Sequence, residues 1–227
     1  EPRMTQTDPF NFYTERRLVR LTGRRARTLT ELIGHVEAVS GSSIFYHTHH
    51  LYLSHHFLKP LFFNDFANWA MDALQERELG EKLAAIDLLE FQAIRPMRNA
   101  LLDTMTQAAN ARRGRTRACP PGDEFHFCES QSFIVPTGLV ARSVPELFQL
   151  MPHVSTVSLY FHFFEARLRL DRKTNDFSYW LERQGAGDLA DAIDGLDPYV
   201  MTLDELRSRI VAVGTANEGG GHGRPAA

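Results

Sequence analysis

The chain has 227 residues, 43% of them apolar and 23% charged, the balance of a folded globular protein. Its net charge of -3 argues against a dominant nucleic-acid role. With only two cysteines, Cys119 and Cys128, no disulfide framework is implied, and no apolar run reaches the roughly 18 residues of a membrane span.

Residues 1–20 are polar and lack a signal-peptide core, so the expected location is cytoplasmic. Phe10 to Leu21 alternates in part and reads as a strand or short hairpin closed by Thr22-Gly23. Thr28-Leu29-Thr30-Glu31 is a capping box that opens a short helix near 30–39. A long aromatic helix follows from Ser43 to about Phe57. Asn64-Asp65 supplies the next N-cap, for a helix that carries Trp69 inward. Gly80 then precedes a short helix containing Ile86-Asp87.

Residues 111–122, rich in arginine, proline and glycine, form a linker. Beyond it the same order returns. Asp123 to His162 aligns without a gap on Asp8 to His47, at a constant spacing of 115, and thirteen of the forty pairs are identical. Phe125 to Val135 repeats the strand and Thr137-Gly138 its close. Ser143-Val144-Pro145-Glu146 repeats the capping box before a helix near 145–153, and Ser158 to Asp171 repeats the aromatic helix. After it the second copy is four residues shorter: Asn175-Asp176 and Trp180 answer Asn64-Asp65 and Trp69. Gly187 precedes a helix with Ile193-Asp194, and Thr202 to Glu205 caps a terminal helix reaching about Val213.

The fold class expected is therefore mainly α with small β elements (α+β). It is a tandem duplication of a subdomain of about 110 residues, packed as a pseudo-dimer, a period too long for a solenoid. The domain reading is 8–110 for the first repeat, 111–122 for the linker, 123–213 for the second repeat, and 214–227 as a disordered tail. Charge divides unevenly, +3 over residues 1–117 and -6 over 118–227.

Chemistry is sought in the aromatic helix, where residues 47–56 hold five histidines. His47/His50 and His162/Glu165 are i, i+3 pairs, each on one helical face. If the copies pack about a pseudo-twofold axis through these helices, the four side chains converge as a metal site for Zn, Fe or Mn. The structural alternative is that His47 and His162 are buried and bond a neighbouring carbonyl. His49, His55 and His56 have no counterpart and read as a solvated or partner-facing patch. Asp65 and Asp176 read as N-cap or first-turn residues, and Asp87 and Asp194 as capping or buried ion-pair residues. Arg24, Arg25 and Arg27 belong to a basic cluster in the first copy that suits an anion. Cys119, His126 and Cys128 match no zinc module, and there is no phosphate loop, dinucleotide fingerprint or nucleophile elbow.

At Ser43-Ile44-Phe45-Tyr46-His47 and Asn64-Asp65-Phe66 the chain resembles a bacterial and archaeal family of unknown function. Its members carry similar Ser-Ile-Tyr-Tyr-His and Asn-Asp-Phe-x-x-Trp stretches. The resemblance covers most of residues 8–213 and implies no established activity. The first reading is thus a cytoplasmic binding, regulatory or interaction protein, with a protein partner and no membrane. The second is a metal-binding protein or metalloenzyme with a His/Glu site between the repeats. Whether the chain is an enzyme is left open.

Overall fold

The computed structural model describes residues 8–54, 64–111, 117–170 and 174–220. In chain order these form β1 (Phe10–Ala26), α1 (Leu29–Ala38), α2 (Gly41–Ser54), α3 (Asp65–Asp72), α4 (Arg77–Ala84) and α5 (Ile94–Ala111). Then come β2 (Phe125–Ala141), α6 (Val144–Leu150), α7 (Thr156–Tyr160), a π-helical turn Phe161–Glu165 and α8 (Ala166–Leu170). Last are α9 (Asp176–Arg183), α10 (Gly187–Asp194) and α11 (Leu203–Gly220). The protein is mainly helical, with β1 and β2 paired antiparallel in a two-stranded sheet.

The chain falls into two compact units. The first holds residues 17–54, 64–111 and 117–133; the second holds 8–16, 134–170 and 174–220. Each strand therefore begins in one unit and ends in the other. The opening residues of β1 serve the second unit, and those of β2 serve the first.

The core of the first unit gathers Leu32, Val36, Ile44, Phe66, Leu83, Met97 and Leu101 around Phe125 and Phe127. In the second unit Phe10 and Phe12 are buried beside Leu147, Leu159, Phe163, Phe177 and Ile193. The capping boxes form as expected: Thr28 Oγ1 accepts from the Glu31 amide at 3.2 Å and Ser143 Oγ from Glu146 at 3.4 Å. The glutamates reach back to the amides of Arg27 and Arg142, at 2.7 and 2.6 Å.

Four expectations about elements change. The Thr-Gly pairs do not close hairpins; both strands run on through them to Ala26 and Ala141. Gly23 and Gly138 have φ of 78° and 84°, so the chain bends there without leaving the sheet. A local glycine signal cannot separate a turn from a bend within a strand. Gly80 lies inside α4 against Met71, and Ile86-Asp87 follows that helix. Asp87 caps a 3-10 turn by accepting from the Leu89 amide at 2.9 Å. Finally, α5 fills residues read without a helix, and α11 continues to Gly220, beyond Val213.

The linker's final residues are held in place. Ala118 bridges to Thr28, and the buried Cys119 donates its amide to the Arg27 carbonyl at 2.8 Å. Residues 112–116 and 221–227, together with His55 and His56, lie outside the described residues.

Candidate functional site

The same arrangement of side chains occurs once in each unit. In the first, Asn64 caps α3 by accepting from the Ala67 amide at 2.8 Å. This sets Asp65 in the first turn, where the helix dipole favours a carboxylate. Asp65 Oδ2 lies 2.7 Å from His47 Nδ1. The other ring nitrogen, Nε2, accepts the main-chain N–H of Cys128 at 2.9 Å. Nε2 is therefore the bare nitrogen, and Nδ1 carries the proton donated to Asp65. One turn earlier in α2, Ser43 Oγ donates to the Cys128 carbonyl at 2.7 Å. Two side chains four apart on one helix thus hold both main-chain groups of one strand residue. Trp69 Nε1 fixes the start of that strand by donating to the Asp123 carbonyl at 2.7 Å.

In the second unit His162 Nδ1 is 2.7 Å from Asp176 Oδ2, and Nε2 accepts the Tyr13 N–H at 2.8 Å. Ser158 Oγ donates to the Tyr13 carbonyl at 2.6 Å, and Trp180 Nε1 to the Asp8 carbonyl at 2.8 Å. Each histidine packs among phenylalanines. His47 is 4.7 Å from Phe125, and His162 is 5.0 Å from Phe10, ring centre to ring centre.

This geometry limits the chemistry available. An Asp–His pair resembles the base of a hydrolase, but here the nitrogen that would take a proton is bonded to a main-chain amide. Burial pushes the His47 pKa down, against the opposing pull of Asp65, which keeps the ring neutral.

Each unit has a cleft beside its His–Asp pair. The first, about 500 Å³, is lined by His47, Asp65, Asn68, Trp69, Asp72 and the stretch 123–126. The second, about 430 Å³, is lined by His162, Asp176, Tyr179, Trp180, Arg183 and strand residues including Asp8, Phe10 and Tyr13. Both volumes suit a small ligand or a few residues of a peptide.

The four residues expected to bind metal are placed as follows. His47 and His50 belong to the first unit and both approach Asp65, at 2.7 and 3.5 Å. His50 Nδ1 also faces the Tyr46 carbonyl at 3.0 Å, and its ring stacks on Tyr46. His162 and Glu165 are buried in the π-helical turn of the second unit. Among the described residues no group of three or more His, Cys, Asp or Glu is arranged to hold a metal.

His49 is not part of a solvated patch. It is 4% exposed and stacks on Phe45 at 4.6 Å, and burial, aided by Arg17, lowers its pKa to about 3. Arg24 and Arg25 are exposed, whereas the Arg27 guanidinium lies 3.9 Å from Glu124. Sequence reasoning missed the pairing of each histidine with an aspartate, and of each serine with the opposing strand. The signal was present, because Ser, His and Asp recur together at matched positions in both copies.

Fold and site together define a mainly helical protein in which two clefts flank strand-holding His–Asp pairs. Residues 7–215 match a family of unknown function, DUF5752, and the chain belongs to that family. The structure of OrfY from Thermoproteus tenax is similar: 28% identity, a TM-score of 0.79, and coverage of 93% of this chain and 96% of that one. No curated protein matches. No helix among the described residues is long and apolar enough to cross a membrane.

Proposed function

We propose that this is a cytoplasmic, non-catalytic interaction protein, built by tandem duplication, whose two clefts hold segments of a partner protein. One observation carries the reading. In both units the residues best suited to chemistry are committed to holding a strand, with both histidine nitrogens in hydrogen bonds. What stays open to a ligand is the cleft beside them, walled by a tryptophan and by strand main chain. A Zn, Fe or Mn centre on His47, His50, His162 and Glu165 is the weaker reading. Binding through either histidine would break a ring hydrogen bond and leave a buried partner unmet. Anion binding at Arg24 and Arg25 rests on their exposure alone.

A photo-crosslinking residue at Asn68 or Tyr179, in the protein expressed in its own host, tests the proposal. The expected result is a discrete protein adduct from the cleft positions and none from Asp103, an exposed residue of α5. Equal labelling from all three positions would overturn it.

A further inference from the structure

The two clefts share a scaffold and differ in charge. In the second, Arg183 follows the histidine-bound Asp176 by seven residues, two turns along α9. Its guanidinium reaches Asp8, Nη2 to Oδ2 3.9 Å, and lies 5.9 Å from the centre of the Tyr179 ring. That cleft supplies its own cation. Seven residues after Asp65 the first cleft carries Asp72. The position matching Asp8, defined by the tryptophan hydrogen bond to its carbonyl, is Asp123. Glu124 stands where the second cleft has Pro9, and among the described residues no lysine or arginine lines the wall. Neither Asp72 nor Asp123 makes an ion pair among the described residues, while Arg27 stands 3.9 Å from Glu124. In the first cleft Arg25 and Arg27 act on Glu124, while Asp72 and Asp123 keep their carboxylates without the guanidinium that Arg183 supplies in the counterpart.

The strand edge adds a second feature. Cys128 turns its N–H and C=O toward α2, where His47 and Ser43 hold them. Phe127 turns its carbonyl toward β1, where Thr22 donates to it at 2.8 Å. By the alternation of an antiparallel strand, His126 presents its main chain on the Cys128 side. His126 lies in the cleft lining, and the two α2 side chains bond the main chain of Cys128. An extended segment could hydrogen-bond there, as in recognition by strand addition.

Resting on the interaction reading above, we infer that the cleft of the first unit takes an extended partner segment bearing an arginine or lysine. That side chain sits by Asp72 and Asp123, in the place Arg183 fills in the second cleft. Arginine is the better fit, because its planar fork engages two carboxylates at once.

The test uses the full chain and three fluorescent nonapeptides, alternating valine with arginine, threonine or glutamate, read by anisotropy. The arginine peptide should bind most tightly and weaken with added salt. Asp72→Arg, which copies the second cleft's own ion pair, should weaken it roughly tenfold or more, and Asp72→Asn by a smaller factor. Thermal melting of both variants should match the parent, because Asp72 is exposed. If all three peptides bind alike and Asp72→Arg changes nothing, the cationic assignment falls and the interaction reading stands. If no peptide binds while cleft crosslinks still form, strand addition of a basic segment is wrong. Absence of both peptide binding and crosslinks overturns both proposals.

Discussion

Replacing His47 with leucine should unlock the strand it holds. The substitution removes the acceptor for the Cys128 N–H and the donor to Asp65. Leaving a part-buried amide unmet costs about 1–3 kcal/mol. Asp65 is 23% exposed, so its carboxylate regains some water and its loss adds only about 1 kcal/mol. Leucine fills most of the ring's volume among Phe66, Phe125 and Phe127, so no large cavity term is added. The sum is about 2–4 kcal/mol, a sizeable part of the roughly 5–15 kcal/mol that holds a domain folded. At about 2–4 °C per kcal/mol for a chain of this size, the melting temperature should fall by about 4–16 °C. His47→Gln keeps an acceptor near the Nε2 position and should recover about half to three-quarters of the loss, since only the Asp65 bond is then missing. The assays are calorimetry and hydrogen exchange of the Cys128 amide, which should be protected in the parent and in His47→Gln but not in His47→Leu. A leucine variant within about 0.5 kcal/mol of the parent, with Cys128 still protected, would refute the strand-holding role.

Acid should weaken the first unit through the same helix. Burial lowers the pKa of both His47 and His49, so the unfolded chain binds their protons more readily than the folded one. Their contribution is fully present above the ordinary value of 6.5 and is lost as pH falls below it. For His49, falling from 6.5 to about 3, the loss at pH 5 is about 2 kcal/mol relative to pH 7.5. His49→Phe should flatten the slope of stability between pH 7 and 5 in urea titrations, and an unchanged slope would contradict this assignment. In the second unit, Gly214 of α11 is buried, and a Cβ there would fall 2.8 Å from Phe148 Cβ and nearer still to its ring. Gly214→Ala should therefore destabilise by about 1–3 kcal/mol despite alanine's better helix propensity. A neutral or stabilised variant in thermal melts would show that α6 yields to the added methyl.

The helix caps and the buried tryptophans were legible because each depends on residues close in sequence. Asn64 and Asn175 sit three residues before the amides they cap, and Thr28 and Ser143 open their helices as written. The strand exchange was not legible. Nothing local distinguishes a strand serving its own repeat from one serving the other, since Phe10 and Phe12 alternate just as Phe125 and Phe127 do. The histidines were legible as special positions but not in their role. An i, i+3 spacing of His and Glu describes a face of a helix. What that face meets depends on Cys128, 81 residues from His47, and on Tyr13, 149 residues from His162. His49 misled for a related reason: with no counterpart histidine it read as surface. Its position matches Phe164, however, and the stack on Phe45 matches that of Phe164 on Tyr160.

Comparison of the two copies separates scaffold from function better than either copy alone. The positions that hold strand to helix stay the same: Ser43 and Ser158, His47 and His162, Asp65 and Asp176, Trp69 and Trp180. Each has a hydrogen bond that explains why it cannot change. The cleft walls differ between the two: Asn68 against Tyr179, Asp72 against Arg183, Glu124 against Pro9, His126 against Asn11. A shared catalytic or metal centre would place its chemistry among the first set, where every group is already engaged. A protein that recognises segments of different charge would vary the second set and preserve the first. The second cleft, which already carries the Arg183–Asp8 pair, should then reject the arginine peptide that the first accepts.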